Sequence, residues 1–408
     1  MKSTRAEGPF RPTKLTLVAM LLTSMLMLMG GAAVAPALPL IQEYFSDSSE
    51  FMVSLVITLP SLAVAVTGLI IGGLSDRFGK VNTLVVSLVV FTIGGVASYF
   101  LDDLVLILVM RFILGVGIGG LSSAVTALMA EYYVGASRVK VLGYQSAAMG
   151  IGALVLETAG GSLASIGWNA PFLIYLIGIP ILILCVVSMK EPAKREAPSP
   201  EELAQPKRKA NMKTVAICYA AIFMCQMIFF LLPTKLPTFL EDPSTPDYIS
   251  TTMVGLFLGV TGIMQAVVSV FYRRIVAVIR PFMVMCCGFL VMGFGLSLLL
   301  FSPTVPVALL AMILAGCAVG LISPAVTNTL AGEASSSNSG KIMGGYSTFM
   351  NFGQFAISLV SVPLLAYVVN DYIPDLCGLM GVVALVIALL FILYCAKDRR
   401  FRSAPQGE

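Results

Sequence analysis

Apolar residues recur along this chain in runs of about 20 residues or more, separated by short segments rich in Lys, Arg, Asp, Gly and Pro. A helix needs about 20 apolar residues to cross ~30 Å of hydrocarbon. The pattern predicts twelve spans, at 15–38, 52–74, 82–101, 104–128, 141–166, 170–189, 214–234, 251–272, 281–301, 305–330, 342–368 and 376–396. Lipid offers no hydrogen-bond partner to an open backbone, and the runs are too long for the strands of a membrane barrel. The expected class is an all-α membrane protein with twelve transmembrane helices.

The composition agrees. Hydrophobic residues are 58% of the chain and charged residues 11%, against about 25% charged in an average soluble domain. There is no histidine and one tryptophan, which excludes His-based catalysis and His-ligated zinc or haem. The eight cysteines lie in or beside apolar runs without a CxxC pair and read as small buried hydrophobes. No Walker A sequence, Rossmann fingerprint or metal-ligand cluster is present. No cofactor is expected, and a proton gradient is the simplest energy source. The spans hold no nucleophile–base pair and no paired carboxylates, so the reading is not an enzyme.

The placement of charge orients the spans. Of 25 Lys and Arg, 23 lie in the two termini and in loops 75–81, 131–141, 190–213, 273–280 and 332–341. The opposite loops carry only Lys235, with Glu43, Asp47, Glu50, Asp102, Asp103, Glu241, Asp242, Asp247, Asp371 and Asp375. The excess of bases on cytoplasmic loops places both termini in the cytoplasm of a multi-pass cell-membrane protein. The net charge of +4 is thus topological and requires no nucleic acid. The basic start followed by an apolar run and Ala33-Val34-Ala35 imitates a signal peptide. The run is longer than a signal core and reads as a retained first span.

Six spans precede residues 190–213 and six follow. The segment is charged and contains prolines, as a linker should be. The expected organisation is a bundle at 1–189, a cytoplasmic linker at 190–213 and a second bundle with a short tail at 214–408. The halves are related: GGLSSAVTALMA at 119–130 aligns with GLISPAVTNTLA at 320–331, six of twelve identical, and Gly143-Tyr144 matches Gly345-Tyr346. The offset of 201–202 residues is half the chain. Duplicated bundles in one membrane imply a site at their interface and alternating access.

Between spans 2 and 3 lies Gly72-Gly73-Leu74-Ser75-Asp76-Arg77-Phe78-Gly79-Lys80. Its glycines permit a tight turn, and its bases hold the turn on the cytoplasmic side. The stretch resembles the GxxxDRxGRK-type loop signature of the major facilitator superfamily, through Gly72, Asp76, Arg77, Gly79 and Lys80. It departs at Val81, where a second base is usual. The resemblance implies the major facilitator fold, two pseudo-symmetric six-helix bundles, and a latching role at the cytoplasmic gate for these residues. The corresponding loop, Phe271-Tyr272-Arg273-Arg274, lacks the acid and the glycine, so any latch is asymmetric.

Arg111-Phe112-Ile113-Leu114-Gly115 in span 4 looks like the RxxxG signature of the drug:proton antiporter branch, where the arginine is thought to assist proton coupling. The span 5 signature of that branch is only partly kept, because Leu156-Glu157 replaces its Gly-Pro step. An arginine inside a span costs roughly 2.5–3.5 kcal/mol unless paired or hydrated. Glu157 is the one acid well inside a span, and it lies ~14 Å from the outer end of span 5 while Arg111 lies ~12 Å from that of span 4. Matched depth, with small residues on both stripes, predicts that the two interact. A static ion pair and a proton-sensitive pair are both open. Further candidates for the substrate cavity are Gln145, Gln226, Phe229, Phe230, Gln265, Asn328, Tyr346, Asn351 and Gln354, a set that suits a small lipophilic compound.

The expected function is secondary active transport, with proton-coupled efflux of small lipophilic or drug-like compounds as the first reading. A carrier for a nutrient or metabolite is the alternative, and a non-transporting sensor the remote one. The expected partners are the lipid bilayer, a small-molecule substrate and protons, with the chain acting as a monomer.

Overall fold

The computed structural model describes residues 12–27, 29–31, 33–133, 135–192, 210–245, 247–333 and 339–397. Most of the expected linker, and both terminal tails, lie outside the described residues. What is described is helical, without a strand. The first half contains α1 (Lys14–Leu26), α2 (Leu38–Tyr44), α3 (Glu50–Phe78), α4 (Lys80–Ala97), α5 (Leu104–Tyr132), α6 (Gly135–Ala164) and α7 (Gly178–Ser188). The second contains α8 (Met212–Phe229), α9 (Leu231–Glu241), α10 (Thr251–Val276), α11 (Pro281–Ser297), α12 (Val305–Glu333), α13 (Ser339–Tyr367) and α14 (Ile373–Lys397). Eleven helical stretches among the described residues are long and apolar enough to cross a membrane, and α1 is a shorter apolar helix. With α1 and α2 taken as one broken crossing, the fold is the twelve-helix membrane bundle expected from the pattern.

Local sequence sets the ends. The Thr13 hydroxyl accepts from the Thr16 N–H at 3.2 Å and starts α1. Asp103 accepts from the Leu106 N–H at 2.9 Å and starts α5, occupying one donor that a helix start leaves open. Gly79 separates α3 from α4 at φ +95°, a conformation that a side chain disfavours.

The span expected over 15–38 is broken near Gly30-Gly31. The helix stops at Leu26, and a turn region containing Gly30 and Gly31 leads into a 3-10 segment at Ala35–Ala37. Pro36 lacks the N–H that would continue the ladder, and Gly31 lies against the Ile57 carbonyl, where a Cβ would come within 3.0 Å. The break leaves backbone carbonyls without helical partners in the middle of the protein.

The two halves meet along two seams. In one, α6 packs on α10 through small residues: Gly161 lies against the Thr251 carbonyl, Gly255 against the Glu157 carbonyl, and Gly262 against Ala153. A Cβ on Gly259 would lie 2.7 Å from the Cα of Leu154. In the other, α3 packs on α13. Thr58 and Ser358 share a hydrogen bond of 2.7 Å, and Thr348 Oγ1 donates to the Ala65 carbonyl at 3.4 Å. These contacts start near the acidic-loop face and reach mid-helix. Toward the basic-loop face the same helices leave Ile70, Tyr144, Val270, Phe271 and Met343 exposed.

At the acidic face the seam ends in an ion pair between Lys235 of α9 and Glu50 of α3. Lys235 is 1% exposed and Glu50 45%. Glu50→Gln leaves a buried ammonium without its counter-charge, whereas Lys235→Met substitutes an apolar side chain of similar length. Removing one member of a fully buried pair costs about 3–5 kcal/mol, and the exposure of Glu50 lowers that here. Glu50→Gln is expected to loosen the closure more than Lys235→Met. The readout is alkylation of Ser61→Cys by an impermeant maleimide from the acidic face; equal rates in both backgrounds would show that the pair holds nothing.

Candidate transport cavity

Where the two seams and the break in span 1 converge, a cavity of about 190 Å³ is enclosed by residues of both halves. Met27, Gly30 and Gly31 come from the break, Pro60 and Ser61 from α3, and Ala153 and Glu157 from α6. The second half supplies Phe229 at the end of α8, Phe230 between α8 and α9, Thr261 and Gln265 from α10, and Asn351 and Gln354 from α13. The wall is mostly apolar, with amides and hydroxyls at separated points and one acid.

Glu157 is 9% exposed, and its Oε2 has no hydrogen-bond partner. Its neighbours along the helix are occupied by the second half, since Gly161 and Ala153 pack on α10. The small-residue stripe of α6 therefore serves the seam between halves and not the approach to α5 expected from the sequence. The corresponding stripe of α5 is used by α3, with Gly115 against Pro60 and Ala63.

The expected pairing of Arg111 with Glu157 is corrected for the same reason. Arg111 is fully buried and is not part of the cavity wall. Its Nε donates to the Val56 carbonyl at 2.7 Å and its Nη1 to the Tyr175 hydroxyl at 2.8 Å. Nη2 donates to the Gly30 carbonyl. Tyr175 in turn donates to the Met29 carbonyl at 2.7 Å, and the rings of Phe172 and Tyr175 lie 5.7 and 5.3 Å from the guanidinium carbon. The carbonyl acceptors sit where helices are irregular. Met29 and Gly30 lie in the break of span 1, and Val56 stands four residues before Pro60, which has no N–H to offer it. Arg111 thus fastens the broken segment, and with it the cavity wall at Gly30, to α3 and to the 3-10 segment before α7.

The remaining candidates divide. Phe229, Phe230, Gln265, Asn351 and Gln354 line the cavity. Gln354 Oε1 accepts from Ser61 Oγ at 2.7 Å across the seam, and Asn351 donates to the Ser347 carbonyl at 2.9 Å. Gln145, Gln226, Asn328 and Tyr346 are not among the lining residues. Gln145 donates to Ser24 Oγ at 3.1 Å and so ties α6 to α1, while Asn328 donates to the Tyr272 hydroxyl at 3.3 Å. The buried Gln226 keeps an unpartnered Oε1, and Tyr346 is half-buried against the core. Sequence reasoning missed Ser61, Thr261 and Tyr175. A buried tyrosine hydroxyl requires a partner, and that was the available signal for Tyr175.

At the basic face Lys80 pairs with Glu131. The carboxylate of Glu191 accepts from the N–H groups of Lys80 at 2.6 Å and Val81 at 2.9 Å, closing the start of α4. Arg77 is exposed. Gly72 and Asp76 belong to α3, and the Asp76 side chain lies outside the described ones.

The architecture is a bundle of membrane-length helices in two halves with a cavity between them. The sequence profile of the Major Facilitator Superfamily matches residues 20–358 and 236–408. The chain belongs to that family. It is 28% identical over 263 residues to the tetracycline resistance protein, class C, of Escherichia coli, covering 62% of this chain and 65% of that protein. It is 27% identical over 248 residues to the hexuronate transporter of Bacillus subtilis (strain 168), covering 57% and 58%. The chain thus spans less than two thirds of the length of these two relatives. Among solved structures it is similar to the inward-open xylose transporter XylE from E. coli, with TM-score 0.76, 16% identity and coverage of 96% and 97%. A bacterial homolog of the human lysosomal transporter Spinster, inward-facing and unoccupied, gives TM-score 0.71 at 15% identity, covering 96% and 98%.

Proposed function

We propose that the chain is a secondary active carrier that exports small lipophilic, drug-like compounds in exchange for protons, by alternating access of the central cavity. One observation carries this reading: Glu157 places a carboxyl oxygen without a partner at a cavity built from both halves. Such a group can exchange a proton with whatever fills the cavity, and it sits where the α6–α10 seam must part for the acidic face to open. With no histidine in the chain, it is the acid within reach of the substrate. Arg111 acts as a positioning residue for the cavity wall. Gly72, Asp76, Arg77, Gly79 and Lys80 latch the basic face in the opposite state. The orientation proposed is basic loops and both termini in the cytoplasm, in the cell membrane, with the chain acting as a monomer of two bundles joined by the 190–213 linker.

Likeness to tetracycline resistance proteins of classes C and H supports a drug-like substrate. A second reading, a carrier for a nutrient or metabolite, is favoured by the likeness to a hexuronate transporter and a niacin transporter. Proton movement driven by substrate in sealed vesicles tests the mechanism under either reading. Glu157→Gln is expected to reduce that movement to the level of empty vesicles. Unaltered coupled transport would remove Glu157 from the mechanism. Accumulation of labelled drugs and labelled sugar acids in a deletion strain separates the two substrate classes.

A further inference from the structure

The two halves differ in how their first and last spans meet. In the first half, α1 and α7 are tied by Thr16 Oγ1, which donates to the Ser188 carbonyl at 2.8 Å, and by Thr23 and Cys185, whose Oγ1 and Sγ lie 3.5 Å apart. Carried across by the repeat offset of 201–202 residues, these four positions become Ile217, Met224, Leu390 and Ile387. All four line a groove of about 340 Å³ between α8 and α14. The polar ties of the first half have been replaced by apolar side chains, and the helices stand apart.

The groove lies along stretches of both helices that are long and apolar enough to cross a membrane. Its lining runs from Ile217 to Met224 on α8 and from Ile387 to Tyr394 on α14, roughly 5–18 Å from the ends of those helices at the basic face. The tyrosine hydroxyl is the one polar side-chain group in the lining. The other face of α8 is occupied, with Tyr219 stacked on Phe349 of α13 at 4.9 Å. Around the groove Leu389, Leu390 and Leu393 are exposed, as is Ala220 within it. Its volume falls in the range of about 300–1,000 Å³ typical of ligand sites. Water gains nothing in so apolar a space, and an empty groove forfeits dispersion contacts along its whole wall. Lys213, exposed one helical turn before Ile217, shares its face of α8 and stands between the groove and the basic-face interface. A basic residue at the mouth of an apolar groove between membrane helices matches the phosphate of an anionic lipid whose chain fills the groove.

We propose that the α8–α14 groove is a resident site for one acyl chain of an anionic phospholipid, with Lys213 meeting the headgroup phosphate. The test is native mass spectrometry of the delipidated full chain titrated separately with phosphatidylglycerol and phosphatidylcholine. Wild type is expected to retain one phosphatidylglycerol about fivefold more strongly than phosphatidylcholine, the worth of one lysine near an anionic surface. Lys213→Gln should abolish that preference while leaving chain binding. Ala220→Phe and Leu390→Trp, which fill the groove from opposite walls at exposed positions, should remove the retained lipid without altering the size-exclusion profile. Equal retention of the two lipids by wild type would overturn the proposal. So would full retention of phosphatidylglycerol by a folded groove-filling variant, or a lipid-free dimer as the species that both such variants disrupt.

Discussion

Gly255→Leu is expected to force apart the seam that closes the acidic face and to stop transport. Gly255 lies against the carbonyl of Glu157, and a Cβ there would also come within 3.2 Å of Gly161. Both obstacles are backbone, so no rotamer change relieves the overlap and the helices must separate. Overpacking of this kind costs about 1–3 kcal/mol. Since the strain exists only while the seam is closed, it shifts the balance of closed and open forms by about 5- to 150-fold. Alkylation of Ser61→Cys from the acidic face should rise correspondingly, and substrate flux should fall. Gly143→Ala on α6, the other helix of that seam, is the control, because a Cβ there meets nothing within 4 Å. Wild-type transport in Gly255→Leu would refute the role of the α6–α10 seam.

Arg111→Lys is expected to be nearly as damaging as Arg111→Met, although it preserves charge. The guanidinium serves three acceptors in different directions, the carbonyls of Val56 and Gly30 and the Tyr175 hydroxyl. An ammonium is a point donor on a flexible stem and cannot reproduce that planar fork. At least two interhelical hydrogen bonds are lost, worth about 0.6–2 kcal/mol each in a membrane. The purified variant should melt at a lower temperature, and transport should fall at least about tenfold, equivalent to 1.4 kcal/mol, as the wall at Gly30 shifts. Tyr175→Phe removes one arm of the network and should give a smaller effect in the same direction. If Arg111→Lys kept wild-type melting and flux, the arginine would be a bystander, and the break in span 1 would be held by packing alone.

Much of the fold was legible because a bilayer imposes a simple code. Runs of apolar residues gave the spans and the repeat gave two related halves. The loop at 72–80 and the arginine of span 4 pointed to the family. The site was only half legible. Glu157 stood out as an acid inside a span, and Phe229, Phe230, Gln265, Asn351 and Gln354 do line the cavity. Gln145 and Asn328 look the same in sequence, yet tie helices within one half. Residue type and depth do not report the direction in which a side chain points.

The partner of Arg111 shows the limit most clearly. Counting residues from a span end fixes depth, and Arg111 and Glu157 share a depth. Whether they meet depends on the rotation of each helix and on which helix is its neighbour. Both are set by the packing of small residues such as Gly115 on Pro60 and Gly161 on Thr251. A sequence displays charges, so an acid was the visible candidate; backbone carbonyls freed by a break or a proline carry no letter of their own. The sequence by itself therefore determined that the chain crosses a membrane many times, in two related halves, with two charges held deep inside. Tertiary structure alone decided that these charges part company: one fastens a broken helix, and the other keeps a free oxygen at the cavity where the halves meet.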